Sequence, residues 1–385
     1  MSTKRLLHLA SLSRALHADA TYKLVWEGFP VLIVGVSDKN KIFHPVGMAL
    51  TYGETEKDFS FMFQLLKENT DHHPSILIAD CSEAITNAFR SAFGDDFTRV
   101  FCSFHVLKNV DKFLKPSKFA GIRSDIRNDI SFMQLCSSEE EFEAWKKLWI
   151  KKWEKNETAA EFVTYFAEEY LHQRNGWYEG RAPGFHSTNN GLEATNNWVK
   201  KEATFRIRLP IAQFMQRMQS TVEGWSLQRE PSSINCKVFN LKPVYTLDLQ
   251  TKAYNWCNQN LQLKRRTLCA STKVLYFVPA AGTKPLKEAE INSFLRLTTQ
   301  LTWKSFDTYR ACLIRLWLIE FNPSNWELST CNCPRFKKEY ICKHAMGIAI
   351  INKLYNVQAE AKAIPLGEKR KRGRPTGVKK ALLVE

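Results

Sequence analysis

Short apolar runs and helical stripes alternate through the first hundred residues. Residues 16–24, 31–37 and 46–52 are three strand-length apolar segments, with Gly and Pro marking the turns between them. Phe59, Met62, Phe63 and Leu66 then recur at helical spacing, and Thr55 with Asp58 three residues on supplies a capping-box start. Residues 76–79 form a compact apolar strand ending at Asp80. Residues 83–93 read as a helix, and 99–102 as a short strand leading into a helix from about Phe104.

Three strands, helix, strand, helix, strand, helix is the order of an open α/β sheet of the ribonuclease H kind. In that layout the first and fourth strands are neighbours, so Asp19 and Asp80 would converge at one sheet edge. From about residue 107 to 173 the pattern turns helical and interrupts the α/β order, which predicts a helical insertion. Ser138 and Glu141 make a capping box there, and Phe142, Trp145, Trp149 and Trp153 form a stripe at helical spacing. Core packing explains that stripe better than base stacking. A polar, Gly-containing passage over 175–197 precedes a helical return through about residue 230. The expected units are therefore 1–230, an α/β domain with its insertion, then 231–320, a mixed linker region. A small Cys/His unit over 321–355 and a basic tail over 356–385 complete the chain.

Composition narrows the function classes. The 385 residues are 44% hydrophobic and 24% charged, ordinary for a globular chain. Lys and Arg outnumber Asp and Glu by 55 to 39, a formal net charge of +16, which favours an anionic partner such as nucleic acid. No apolar run approaches the roughly 18 residues of a spanning helix, so no membrane role is expected. The ten Cys are scattered through a long chain without a secretory signal, and read as reduced thiols with a few recruited for metal.

Phosphodiester cleavage or strand transfer can be run by two divalent ions, held by hard oxygen ligands, that clamp the attacking and leaving oxygens. Acids on separate elements of one sheet suit that chemistry. His17-Ala-Asp19-Ala-Thr-Tyr22, Phe29-Pro30 and the strand ending at Asp38 resemble the first block of Mutator-like (MULE) DDE transposases. Ile78-Ala-Asp80 resembles the second-aspartate block, Cys102-Ser-Phe-His105 the Cys-x-x-His block, and the run from Ser187 to Asn196 the block of the third acid. The resemblance covers roughly residues 14–201, in order. It implies that Asp19, Asp80 and Glu193 hold catalytic Mg²⁺ or Mn²⁺, and that Cys102 and His105 lie near that centre. Taken singly, each acid could instead cap a turn or a helix. Cys102 and His105 could equally be a buried thiol and a capping imidazole. Asp38, Glu54 and Asp95 read as surface or turn acids. Only 18 residues precede Asp19. The family usually carries a DNA-binding module upstream, so an incomplete gene model or a lost module is expected.

Cys331-x-Cys333, eight residues, then Cys342-x-His344 supplies three thiolates and an imidazole, the Cys₃His set of a closed structural zinc site. It resembles the SWIM-type zinc finger, a frequent companion of MULE domains. Such a finger could bind DNA or other proteins. Near the C-terminus, Arg372-Gly373-Arg374-Pro375, flanked by further cations, has the core of an AT-hook, suited to narrow A·T minor grooves. The same run could direct the protein to the nucleus, and residues 367–385 are expected to be disordered. Lys108, Lys112, Lys115, Lys118 and Lys264-Arg265-Arg266 could contact phosphate, though a solvated face explains them equally well. Two functions follow. One is a nuclear transposase in DNA recombination, expected to act on DNA as a homo-oligomer. The other is a domesticated, non-catalytic regulator that binds DNA or protein through the finger and tail.

Overall fold

The computed structural model describes residues 1–363 apart from 72, 235, 260, 268–271 and 281–283. Helix Lys4–Ala10 (α1) leads into Ala15–Thr21 (β1), Val31–Ser37 (β2) and Phe43–Leu50 (β3), an antiparallel run. Strand β2 is buried at every position, as a strand covered on both faces must be. Strand β3 starts earlier than its apolar run suggests and passes through Pro45. It is an edge strand, where a missing N–H is tolerated. At Gly35 a bulge shifts the β2–β3 register, and a Cβ there would overlap the Phe43 ring.

Glu56–Glu68 (α2), Ile76–Ala79 (β4), Glu83–Phe93 (α3), Thr98–Phe101 (β5) and Ser103–Phe113 (α4) follow. Helix α2 begins with the Thr55–Asp58 capping box. Strand β4 pairs in parallel with both β1 and β5, giving a five-stranded sheet of order β3-β2-β1-β4-β5. Side chains alternate across it. Leu16, Ala18, Leu77 and Ala79 enter one core with Leu6, Phe59, Phe63 and Phe89, while Ala15, Ile76, Ile78 and Val100 face the other way with Ala182.

Arg123–Met133 (α5), Glu139–Trp153 (α6) and Ala160–Phe166 (α7) build a separate helical core with Val106 and Val110 of α4. Phe142, Trp145, Trp149 and Trp153 are all buried in it, so the stripe is packing. Asn190–Trp198 (α8) and Ile211–Leu227 (α9) return to the sheet, with Leu192, Phe214 and Trp225 in its first core.

The described part of 231–320, expected as a mixed linker, is rich in regular elements, most of which join the C-terminal sheet and the helices packed on it. Leu247–Cys257 (α10), Lys264–Thr267 (β6), Val274–Pro279 (β7), Glu288–Gln300 (α11), Phe306–Arg315 (α12) and Leu316–Phe321 (β8) lead into Thr330–Cys331 (β9). The four strands make one antiparallel sheet, β6-β7-β8-β9, whose last strand carries the first Cys of the cluster. Helix α12 crosses to the helical core, setting Tyr309 against Trp145 at a ring separation of 4.0 Å. Pro334–Glu339 (α13), Lys343–Ile351 (α14) and Ala359–Ala363 (α15) complete the described fold. Order therefore continues past 355, where the tail was expected to start: Ala361 is buried, and its carbonyl accepts from Thr251 Oγ1 at 3.1 Å. The AT-hook-like residues Arg372, Gly373, Arg374 and Pro375, and the disorder expected around them, lie outside the described residues. Among the described residues no helix is long and apolar enough to cross a membrane.

Candidate metal centres

The β1–β4 register runs as far as His17 and Ile78; Asp19 lies two residues on in β1 and Asp80 just past the end of β4, near enough for the Asp80 charge to act on Asp19. Alternation puts both on the His17 face of the sheet, away from Leu16 and Ala18, and α8 meets that face through Asn189 and Asn196. Ser82 N–H donates to Asp80 Oδ1 at 3.0 Å, and Asn196 Nδ2 on α8 donates to Asp19 Oδ2 at 2.9 Å. Beneath, the buried Arg99 guanidinium donates to the carbonyls of Val100, at 2.7 Å, and of Asp80 itself. Burial and the neighbouring charge of Asp80 push Asp19 up from 3.8 to about 7, with Glu193 and Glu54 adding to the repulsion. Hard oxygen donors whose mutual repulsion a cation would relieve fit Mg²⁺ or Mn²⁺.

Glu54 sits in the exposed turn before α2, as expected, yet its charge reaches both aspartates. Asp38 is a turn residue but not a surface one. Burial pushes its carboxyl up, but His44 alongside it and hydrogen bonds from Asn240 and Ile42 outweigh that and hold it at about 2. Asp95 is exposed and pairs with Arg90 at 2.8 Å.

Glu193 lies in the first turn of α8, and Asn189 at its N-cap fixes the helix against β1. Asn189 Nδ2 donates to the Ala18 carbonyl at 3.2 Å, and its Oδ1 faces His17 Nδ1 at 2.9 Å. The remaining His17 nitrogen meets Ser37 Oγ at 3.0 Å. Burial lowers His17 to about 4, so a neutral imidazole ties β2, β1 and α8 together. The Glu193 carboxylate turns toward His105, with Oε1 3.2 Å from Nε2. Cys102 caps α4 and is fully buried.

The second cluster is tighter. Cys331 ends β9, Cys333 caps α13, Cys342 caps α14 and His344 lies in its first turn. All four are buried. His344 Nδ1 is 3.8 Å from Cys331 Sγ and 3.9 Å from Cys342 Sγ. Tetrahedral zinc with bonds of ~2.0–2.3 Å has ligand edges of about that length. Backbone N–H groups of Phe336 and Ala345 donate to the Cys333 and Cys342 sulfurs, each at 3.4 Å, which favours thiolates. Helix α10 closes the site from behind: Trp256 packs edge-on to His344, at 5.3 Å, and presses on Gly347, where a Cβ would strike its ring.

Lys108, Lys112, Lys115 and Lys118 are exposed on α4 and the segment after it, with Lys118 paired to Glu161. In strand β6, Lys264 and Arg265 are exposed, while Arg266 pairs with Glu288.

An α/β domain with paired acids, joined to a closed Cys₃His centre, defines a two-part, zinc-binding protein. The family model of the MULE transposase domain matches residues 15–109, and that of the SWIM zinc finger matches 324–352. The chain thus carries a MULE transposase domain and a C-terminal SWIM finger, and the two support a transposase-related protein that binds zinc. No curated protein matches the chain significantly. The MULE match takes in Asp19, Asp80, Cys102 and His105, and ends before Glu193.

Proposed function

We propose that this protein is a DNA transposase, or a close descendant of one, built on a ribonuclease H-like sheet. Asp19, Asp80 and Glu193 would hold two Mg²⁺ or Mn²⁺ ions at the sheet edge. The observation that carries this reading is that Asp19 in β1 and Asp80, just past the end of its parallel neighbour β4, lie within reach of each other's charge, with the helix of Glu193 bonded to Asp19 through Asn196. Bound there, such ions would stabilise the attacking and leaving oxygens of a phosphodiester. The protein's own part is positional. Asn196 orients Asp19, Arg99 and Ser82 N–H fix Asp80, and the Asn189–His17–Ser37 chain sets α8. The SWIM finger, the basic surface and the tail would supply contacts to DNA in the nucleus, and an active enzyme would assemble as a homo-oligomer.

A second reading rests on one observation: Glu193 points at His105. A descendant kept for DNA or protein binding would have no need to turn that acid toward the aspartates. Nicking of supercoiled DNA with Mn²⁺ separates the two. The enzymatic reading expects nicking by the wild type and none by Asp80→Asn. Equal activity in both proteins, or none in either, overturns it.

A further inference from the structure

Sequence spacing offers Cys102 and His105 only as half of a metal site, and the fold supplies a third donor. Cys102 is the N-cap of α4 and His105 lies in its first turn, so thiol and imidazole share one end of the helix. Helix α8, from far along the chain, lays Glu193 against them. One donor atom from each of Cys102, His105 and Glu193 lies within 4.8 Å of the other two. Among the described residues only the finger makes another such group of three or more.

The pairing of Glu193 with His105 does not account for this geometry. Glu193 Oε1 is buried and accepts no hydrogen bond, although His105 Nε2 stands 3.2 Å away. His105 Nδ1 is likewise buried and unbonded. Asn189 N–H donates to Cys102 Sγ at 3.1 Å, as backbone amides do to the sulfurs of Cys333 and Cys342. A thiol, an imidazole and a carboxylate thus converge on one point. Zinc bonds of ~2.0–2.3 Å need ligand edges of roughly 3.3–3.8 Å, and the three donors here already lie within 4.8 Å of one another.

We propose that Cys102, His105 and Glu193 form a second site for a borderline-soft divalent cation, zinc. Three protein ligands leave one position open, unlike the closed finger. Thiolate and imidazole select zinc over the Mg²⁺ suited to the all-carboxylate pair. Glu193 would then serve both centres, since its Oε1 points toward His105 while its charge acts on Asp19. The site does not depend on DNA cleavage, because its readout is metal content.

The test is elemental analysis of the zinc-replete full chain after desalting. Wild type should carry two zinc ions per chain, Cys342→Ala one, and His105→Ala one. His105 is partly exposed, so its replacement spares the buried core. Cys102→Ser should also carry one, with its fold checked by circular dichroism. Cobalt loading gives an independent arm: wild type should show a second thiolate-to-metal band set that His105→Ala lacks. One zinc per wild-type chain, removed by Cys342→Ala and untouched by His105→Ala, overturns the proposal. So does an unchanged count of two in His105→Ala.

Discussion

Asp19 is an acid that its surroundings favour in the neutral form. Its folded value of about 7 lies well above the ordinary 3.8. Between those values the folded state holds a proton that the unfolded state has released, so stability falls as pH rises through that window. Above about 7 the penalty is complete. In zinc-replete, magnesium-free buffer, Asp19→Asn should therefore melt higher than wild type at pH 8 and the same near pH 4. Added Mn²⁺ should raise the wild type at pH 8 and leave the variant unmoved. A melting difference independent of pH would refute this electrostatic account. Candidate ligands can be named from sequence because Asp, Cys and His carry their chemistry with them. Asn189, Asn196 and His17 cannot, since their roles are hydrogen bonds between β1 and α8. The meeting of Glu193 and His105 was hidden by the helical stretch between them.

Elements with a strong period were legible, and short or polar ones were not. Strands β2, β4 and β5 and the stripe on α6 follow their apolar patterns closely. Strand β6 is Lys-Arg-Arg-Thr and mostly exposed, and β9 has only two residues, so neither carries a pattern to read. Both exist because β7 and β8 offer ladder partners. Helix α6 shows what a legible stripe is worth. Trp149 is fully buried against Phe162 and Phe166. Trp149→Ala should cost about 3–5 kcal/mol in urea unfolding. A loss below ~1 kcal/mol would mean that the helical core closes without it.

Across the whole molecule, the finger is fastened to the rest of the chain. Lys337 Nζ donates to the Leu135 carbonyl at 2.9 Å, Tyr340 OH donates to that of Phe185 at 3.1 Å, and α12 spans from the second sheet to the helical core. Such long-range docking leaves no local signature, which is why 231–320 reads as a linker in sequence. The charge is similarly distributed. Residues 367–385 hold +5 of the net +16, leaving +11 on the rest, as backbone contacts to DNA would require. All of this converges on the acids at the edge of the first sheet. Manganese binding by the zinc-replete full chain, followed by electron paramagnetic resonance, tests them most directly. The account predicts saturable Mn²⁺ uptake by wild type and its loss in the Asp19→Asn, Asp80→Asn double variant. Equal uptake by the two proteins would contradict it.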